Sequence, residues 1–248
     1  MKEILKINGL QIGYKGQALM PPIDAVLHEG EAVALVGANG SGKTTLFKTL
    51  TGSLKPIAGQ VELCGRPLEN YTPNERAKLF SLVLTEKPDD LFLSVFDLVA
   101  SGRYPHSGLM AKLSDEDYDM IKSKLQVVGV ENLINRDFVS LSDGEKQKVM
   151  IAKALVQDTP IVYMDEPSAF LDYPSKVELL HLISRLALEE RKTVLYSSHD
   201  LELLMKHGAK MWIVAKGKKL VECQTNSFDN ETIKSYFFDD RAIDDDIL

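Results

Sequence analysis

The stretch Gly37-Ala38-Asn39-Gly40-Ser41-Gly42-Lys43-Thr44-Thr45 constrains this chain more than any other. It fits G-x-x-x-x-G-K-[ST], a phosphate-binding loop that needs a strand before it and a helix after it. Glu31 to Val36 reads as a short buried strand, and Leu46 to Leu50 begins a helix. The glycines let the backbone curl so that successive N–H groups point inward as an anion nest. The helix start adds its positive dipole end at the same point. Lys43 is placed to reach the β- and γ-phosphates of a nucleotide, and the Thr44 hydroxyl to bind Mg²⁺. Gly37, Asn39, Gly40, Ser41, Gly42 and Thr45 complete the cradle.

A chain of 248 residues has room for one large domain or two small ones with ample core. No uncharged apolar run approaches the ~20 residues of a membrane helix, and charges at Lys2, Glu3 and Lys6 sit where a signal peptide needs an apolar block. The expectation is a cytoplasmic protein. A net charge of −7 argues against broad nucleic-acid binding, which needs a basic face. Cys64 and Cys223 have no metal-binding spacing and read as reduced structural thiols.

Strand–helix alternation predicts an α/β fold with a mostly parallel sheet and helices on both faces. Residues 3–36 read as strands and turns, and Pro56 to Gly65 and Phe80 to Leu84 as further short strands. Thr72-Pro73 predicts a helix start, with Thr72 as N-cap. Between about 86 and 150 the pattern turns helical, at Val95–Ala100 and at Asp115–Val128 behind the capping-box pattern Ser114-x-x-Asp117. Ile161 to Met164 and Thr193 to Tyr196 are apolar enough for buried parallel strands, with a helix over Pro174–Arg191 between them. Met211–Ala215 and Lys219–Cys223 read as a hairpin about Lys216-Gly217. The tail from Phe237 is acidic and reads as solvated.

Three further stretches carry chemistry. Ile161-Val-Tyr-Met-Asp165-Glu166-Pro167 runs an apolar strand into two carboxylates at its C-terminal end, the edge where α/β sheets bind ligands. Asp165 suits a metal and Glu166 the general base for an attacking water. Leu141-Ser142-Asp143-Gly144-Glu145 has the form of a helix N-cap and a second anion site through Ser142 and Gly144. Tyr196-Ser-Ser-His199-Asp200 runs a strand into a histidine, whereas His28, His181 and His207 have no comparable context and read as structural.

In this order the motifs resemble those of the ATP-binding-cassette (ABC) ATPases, from Tyr14 to about Gly217, with LSDGE in place of an LSGGQ-like signature. The resemblance implies a P-loop, RecA-like core with an antiparallel β subdomain over 1–85 and 151–225. It also implies a helical insert over about 86–150, and leaves an acidic tail at 226–248. It implies ATP and Mg²⁺ as ligands, Tyr14 stacked on adenine, and His199 on the γ-phosphate. Ser142 and Gly144 would meet the γ-phosphate of ATP held by a second copy in a head-to-tail dimer, so that a site split between subunits makes ATP a glue. Ser168-Ala-Phe-Leu-Asp172 resembles the family's D-loop, with Phe170 where a small residue is usual. Glu86 stands where the family usually has a Gln. It can ligate Mg²⁺ or its water but cannot donate as an amide does.

Asp97 to His106 is similar to the branch serving importers of iron–siderophores, haem and vitamin B12. That implies an ATPase subunit, peripheral on the inner membrane face, working with transmembrane permease subunits and, indirectly, a substrate-binding protein. A soluble ABC-class ATPase acting on nucleic acid or ribosomes and the ATPase of an exporter are the alternatives. The single cassette and the lack of a long coiled coil before Ser142 count against the first.

Overall fold

The computed structural model describes residues 2–85, 92–107, 112–215 and 217–224. In chain order the elements are β1 Glu3–Gln11, β2 Gly13–Tyr14, β3 Gln17–Ala18, β4 Ile23–His28, β5 Ala32–Val36, α1 Lys43–Leu50, β6 Ala58–Leu63, β7 Arg66–Pro67, α2 Pro73–Arg76 and β8 Phe80–Val83. There follow α3 Val95–Ala100, α4 Tyr104–Ser107, α5 Asp115–Val127, α6 Asp143–Val156, β9 Ile161–Met164, α7 Tyr173–Leu188, β10 Thr193–Ser198, α8 Leu201–Lys206, β11 Lys210–Ile213 and β12 Val221–Gln224. Glu86 and the acidic tail lie outside the described residues.

The elements form two compact units. The first takes the described residues up to His28, Ala32–Glu69 and those from Leu195 onward. Its antiparallel sheet runs β4-β1-β6-β7, with Leu5 of β1 opposite Leu27 on one side and Leu63 on the other. Alternation along β1 buries Ile4, Leu5, Ile7 and Leu10. A second run of strands places β11 parallel to β5, from Lys210 opposite Val33 to Ile213 opposite Val36, with β12 antiparallel on its other edge. Val33 to Val36 are fully excluded from solvent, as an unbroken apolar strand with neighbours on both sides requires. This strand delivers the phosphate-binding loop at its C-terminal end.

The second unit takes the described residues of Glu29–Glu31 and Asn70–Val194. Strands β8 and β9 pair in parallel, Phe80 opposite Ile161 through Val83 opposite Met164. Helices α3, α5 and α6 pack on one another, burying Val95, Leu98, Ile121, Leu125, Val149, Ile151 and Leu155. The C-terminal end of α6 is clasped from several sides. Arg103 donates to the Val156 carbonyl at 3.0 Å, a ring nitrogen of His106 meets the Gln157 carbonyl at 2.8 Å, and the Gln157 amide donates to Ala77 O at 2.7 Å. The first two bonds satisfy carbonyls that the end of α6 leaves without intrahelical partners. A Cβ on Gly102 would lie 2.4 Å from the Lys153 carbonyl, so only glycine lets this turn approach α6 so closely.

Several boundaries move from where the sequence puts them. Helix α3 covers the expected Val95–Ala100, and beyond it the chain continues through a short 3₁₀ turn into α4, where Pro105 falls in the first turn and its missing N–H is not needed. Helix α7 stops at Leu188, and Arg191 turns back with φ 52°. Strand β10 extends two residues past Tyr196. The last hairpin is wider than expected: Gly217 leaves the ladder and donates its N–H to Leu19 at 2.9 Å. The expected capping box of Ser114 with Asp117 is present, and the expected N-cap Thr72 also closes a box with Glu75.

Candidate functional site

The first unit assembles one set of the expected residues. Gly40 and Gly42 adopt φ 76° and 110°, the left-handed backbone that turns N–H groups into the loop. A Cβ on Gly37 would lie 2.2 Å from the Val214 carbonyl and 2.5 Å from Ser41 Oγ, so the loop's own chain demands glycine there. Lys43 is buried, and its ammonium donates to the carbonyls of Gly37 at 2.7 Å and Ala38 at 3.2 Å. Helix α1 begins on Gly42 with no side-chain cap and no acid in its first turn. Ser41 Oγ is buried with no hydrogen-bond partner among the described residues. A nest of N–H groups, a lysine, an uncapped helix start and an orphaned hydroxyl fit a bound phosphate chain.

Two side chains from elsewhere in this unit reach the loop. His199, just after β10, brings Nδ1 to 3.5 Å from Lys43 Nζ. Since an ammonium only donates, Nδ1 accepts and the ring proton is on Nε2. Tyr14, on the two-residue strand β2, accepts a hydrogen bond from Thr45 at 3.3 Å while its side chain stays half exposed. An anchored hydroxyl and an open ring suit a stacking role. Thr44 is exposed in the first turn of α1. Asn39 is exposed on the loop.

The second unit holds the other set. Asp165 and Glu166 follow the fully buried β9, and the Asp165 carbonyl accepts from Thr85 Oγ1 at 2.8 Å. Glu166 sits at φ 45°, an uncommon conformation for a residue with a side chain. Such strain costs of order 1 kcal/mol and gathers at functional turns. Four residues on, exposed Phe170 has φ 65°. Ser142 is the N-cap of α6, and the helix start is a complete capping box. Both the Ser142 N–H and its hydroxyl donate to Glu145 Oε2 at 2.8 Å, while the Glu145 N–H donates back to Ser142 Oγ at 3.4 Å. The Ser142 N–H, more than any other group, holds the Glu145 carboxyl below its ordinary pKa. Gly144, by contrast with Gly37, has room: a Cβ there would meet Ser175 Oγ at an ordinary 3.7 Å.

Two contributors are not singled out by the sequence. Thr85 stands next to Glu86, where a Gln is usual, and its signal was a hydroxyl at the end of a parallel strand. Glu145 looked like a variable position, yet Ser142-x-x-Glu145 is the same cap pattern legible at Ser114. Among the described residues no three His, Cys, Asp or Glu side chains cluster to hold a metal. A Mg²⁺ held by one or two protein oxygens and by phosphates needs no such cluster.

The ABC transporter family pattern matches residues 21–169. The chain is 36% identical over 215 residues to an uncharacterized ABC transporter ATP-binding protein of Methanocaldococcus jannaschii, covering 87% of this chain and 74% of that one. It is 32% identical over 218 residues to the iron(3+)-hydroxamate import ATP-binding protein FhuC of Bacillus subtilis, covering 88% and 81%. A solved inward-facing conformation of a putative metal-chelate type ABC transporter superposes with a TM-score of 0.82 at 26% identity, over 95% of this chain and 89% of that one.

Proposed function

This chain belongs to the ABC transporter family, and from that premise we propose that it powers a membrane importer of iron–siderophore, haem or cobalamin-type chelates. It binds nucleotide and hydrolyses ATP to ADP and phosphate, coupled to transport. The observation that carries the nucleotide site is the open start of α1, with its glycine nest, buried Lys43 and orphaned Ser41 hydroxyl. The import of an iron chelate is supported by the similarity to FhuC, an iron(3+)-hydroxamate import ATP-binding protein, and by the metal-chelate type of the solved transporter.

In this reading the N–H groups of residues 37–45 and Lys43 bind the β- and γ-phosphates, and Tyr14 stacks on adenine. Thr44 and Asp165 would hold Mg²⁺, whose chemistry there would be to offset phosphate charge. Glu166 takes the proton of the attacking water, and His199, its tautomer set by Lys43, contacts the γ-phosphate. Glu86 takes the place of the usual Gln beside the metal. Ser142 and Gly144 of a second copy close the site. The space at Gly144, unused by its own chain, supports close approach from outside. The helical insert, about residues 86–150, would pass movement to a permease on the inner face of the membrane. No helix among the described residues is long and apolar enough to cross it.

Glu166→Gln is expected to bind ATP as before and hydrolyse it at least ~100-fold more slowly, the size of a lost general base; unchanged turnover removes Glu166 from that role. The transport reading is tested by purifying the tagged chain from detergent-solubilised membranes of its own cell. A polytopic permease retained with it supports the reading, while a ribosome, nucleic acid or soluble partner in its place overturns import and leaves the ATP site.

A further inference from the structure

The hairpin that presents Tyr14 presents a second side chain beside it. Strands β2 and β3 pair antiparallel, with Gly13 opposite Ala18 and Tyr14 opposite Gln17, so that only Lys15 and Gly16 lie in the turn. Both turn residues take the left-handed backbone, φ 50° and 77°, as a two-residue type I′ turn requires. The register is held from inside the chain. A Cβ on Gly13 would run into the Gln17 carbonyl, and the Leu19 N–H continues the ladder to the Ile12 carbonyl at 2.9 Å. Residues directly opposite each other on an antiparallel pair share a face, with Cβ atoms about 5 Å apart. Gln17 therefore stands next to Tyr14 on one face of the hairpin, and both are exposed. The hydrogen bond from Thr45 to the Tyr14 hydroxyl ties this hairpin to the first turn of α1.

We propose that Gln17 reads the base of the nucleotide: its carboxamide hydrogen-bonds the adenine edge that carries N6 and N7 while Tyr14 stacks on the ring, and the site thereby prefers ATP to GTP. The inference rests on the reading of Tyr14 as the adenine stack. A stack alone is nearly blind to the base, because every base has a π-face. A carboxamide is not. It sets an acceptor and a donor side by side in one plane, and adenine answers them with the N6 amine as donor and N7 as acceptor. Guanine carries O6 where adenine carries the amine, so two acceptors face the amide and its oxygen is left against another oxygen. Gln17 belongs to the base-binding end of the site, separate from the phosphate cradle of residues 37–45.

The test uses the full chain carrying Glu166→Gln, in which hydrolysis is slow, and measures its affinity for ATP, GTP and inorganic tripolyphosphate, each with Mg²⁺, by calorimetric titration. This parent is expected to bind ATP about tenfold more tightly than GTP, the size of one bidentate amide–base pair. Adding Gln17→Leu is expected to weaken ATP about tenfold and to leave GTP and tripolyphosphate within about twofold, which closes the gap. Gln17→Ala, which places no apolar group beside the ring, is expected to do the same and guards against an artefact of the leucine. Equal affinities for ATP and GTP in the parent, or a gap that both variants retain, overturn the proposal. Tyr14→Ala then tells which part failed. If it weakens ATP and spares tripolyphosphate, the stack stands without Gln17. If it leaves ATP binding unchanged, the stack falls and the role of Gln17 with it.

Discussion

Helix α1 starts on Gly42 with no side-chain cap and Lys43 in its first turn, whereas α6 starts on Ser142 inside a closed capping box with Asp143 and Glu145 in its first turn. Both are helix starts where phosphate is expected. The first leaves its N–H groups to a ligand and costs the free chain an unsatisfied, positively charged turn. The second satisfies itself, as the purely structural starts at Thr72 and Ser114 do. An open start is ready for an anion, and a capped start is stable without one.

The two glycines give the largest contrast. Gly37→Ala places a methyl against the Val214 carbonyl within its own chain. It is expected to destabilise folding by more than about 2 kcal/mol and to abolish ATP binding, read by thermal unfolding and nucleotide titration. Gly144→Ala meets only ordinary contacts, so the chain should fold within about 0.5 kcal/mol of wild type while ATPase activity falls about tenfold. Equal stability losses at the two positions would erase the distinction between a glycine required inside the chain and one required by what approaches it.

The two serine caps sharpen it. Ser142→Ala and Ser114→Ala should each cost about 1 kcal/mol of stability, but only Ser142→Ala should lower ATPase turnover, by about tenfold. If both leave turnover intact, the start of α6 is a structural cap like that of α5.

The smallest effect concerns acid. In the α5 cap the Ser114 N–H, followed by the Arg103 side chain at 2.7 Å, holds the Asp117 carboxyl below its ordinary 3.8. Folding therefore favours the ionised form. The contribution is complete above the unfolded value and is lost as pH falls through the lower folded one. Asp117→Asn should flatten the fall in stability between pH 5 and 3, measured by denaturant unfolding. A fall as steep as wild type would remove Asp117 from the acid response.

The strand ends were legible because their patterns are local. Ile161 to Met164 could be read as buried from its apolar run alone, and Asp165 and Glu166 follow it directly. The 3₁₀ continuation past Gly102 was not legible. It depends on α6 offering carbonyls at Lys153, Val156 and Gln157, roughly fifty residues away. The wide final hairpin likewise depends on the Leu19 carbonyl. Glu145 was legible as a cap pattern and was outweighed by the stronger signal of the motif around it.

By itself the sequence determined the α/β class, the phosphate loop, the order of the motifs and the family, because each rests on residue types within a few positions of one another. Only the tertiary structure decided that Lys43 rests on the loop's own carbonyls with His199 beside it, and that Gly37 is required by its own chain and Gly144 is not. Those facts are distances between atoms far apart in sequence, and packing alone brings such atoms together.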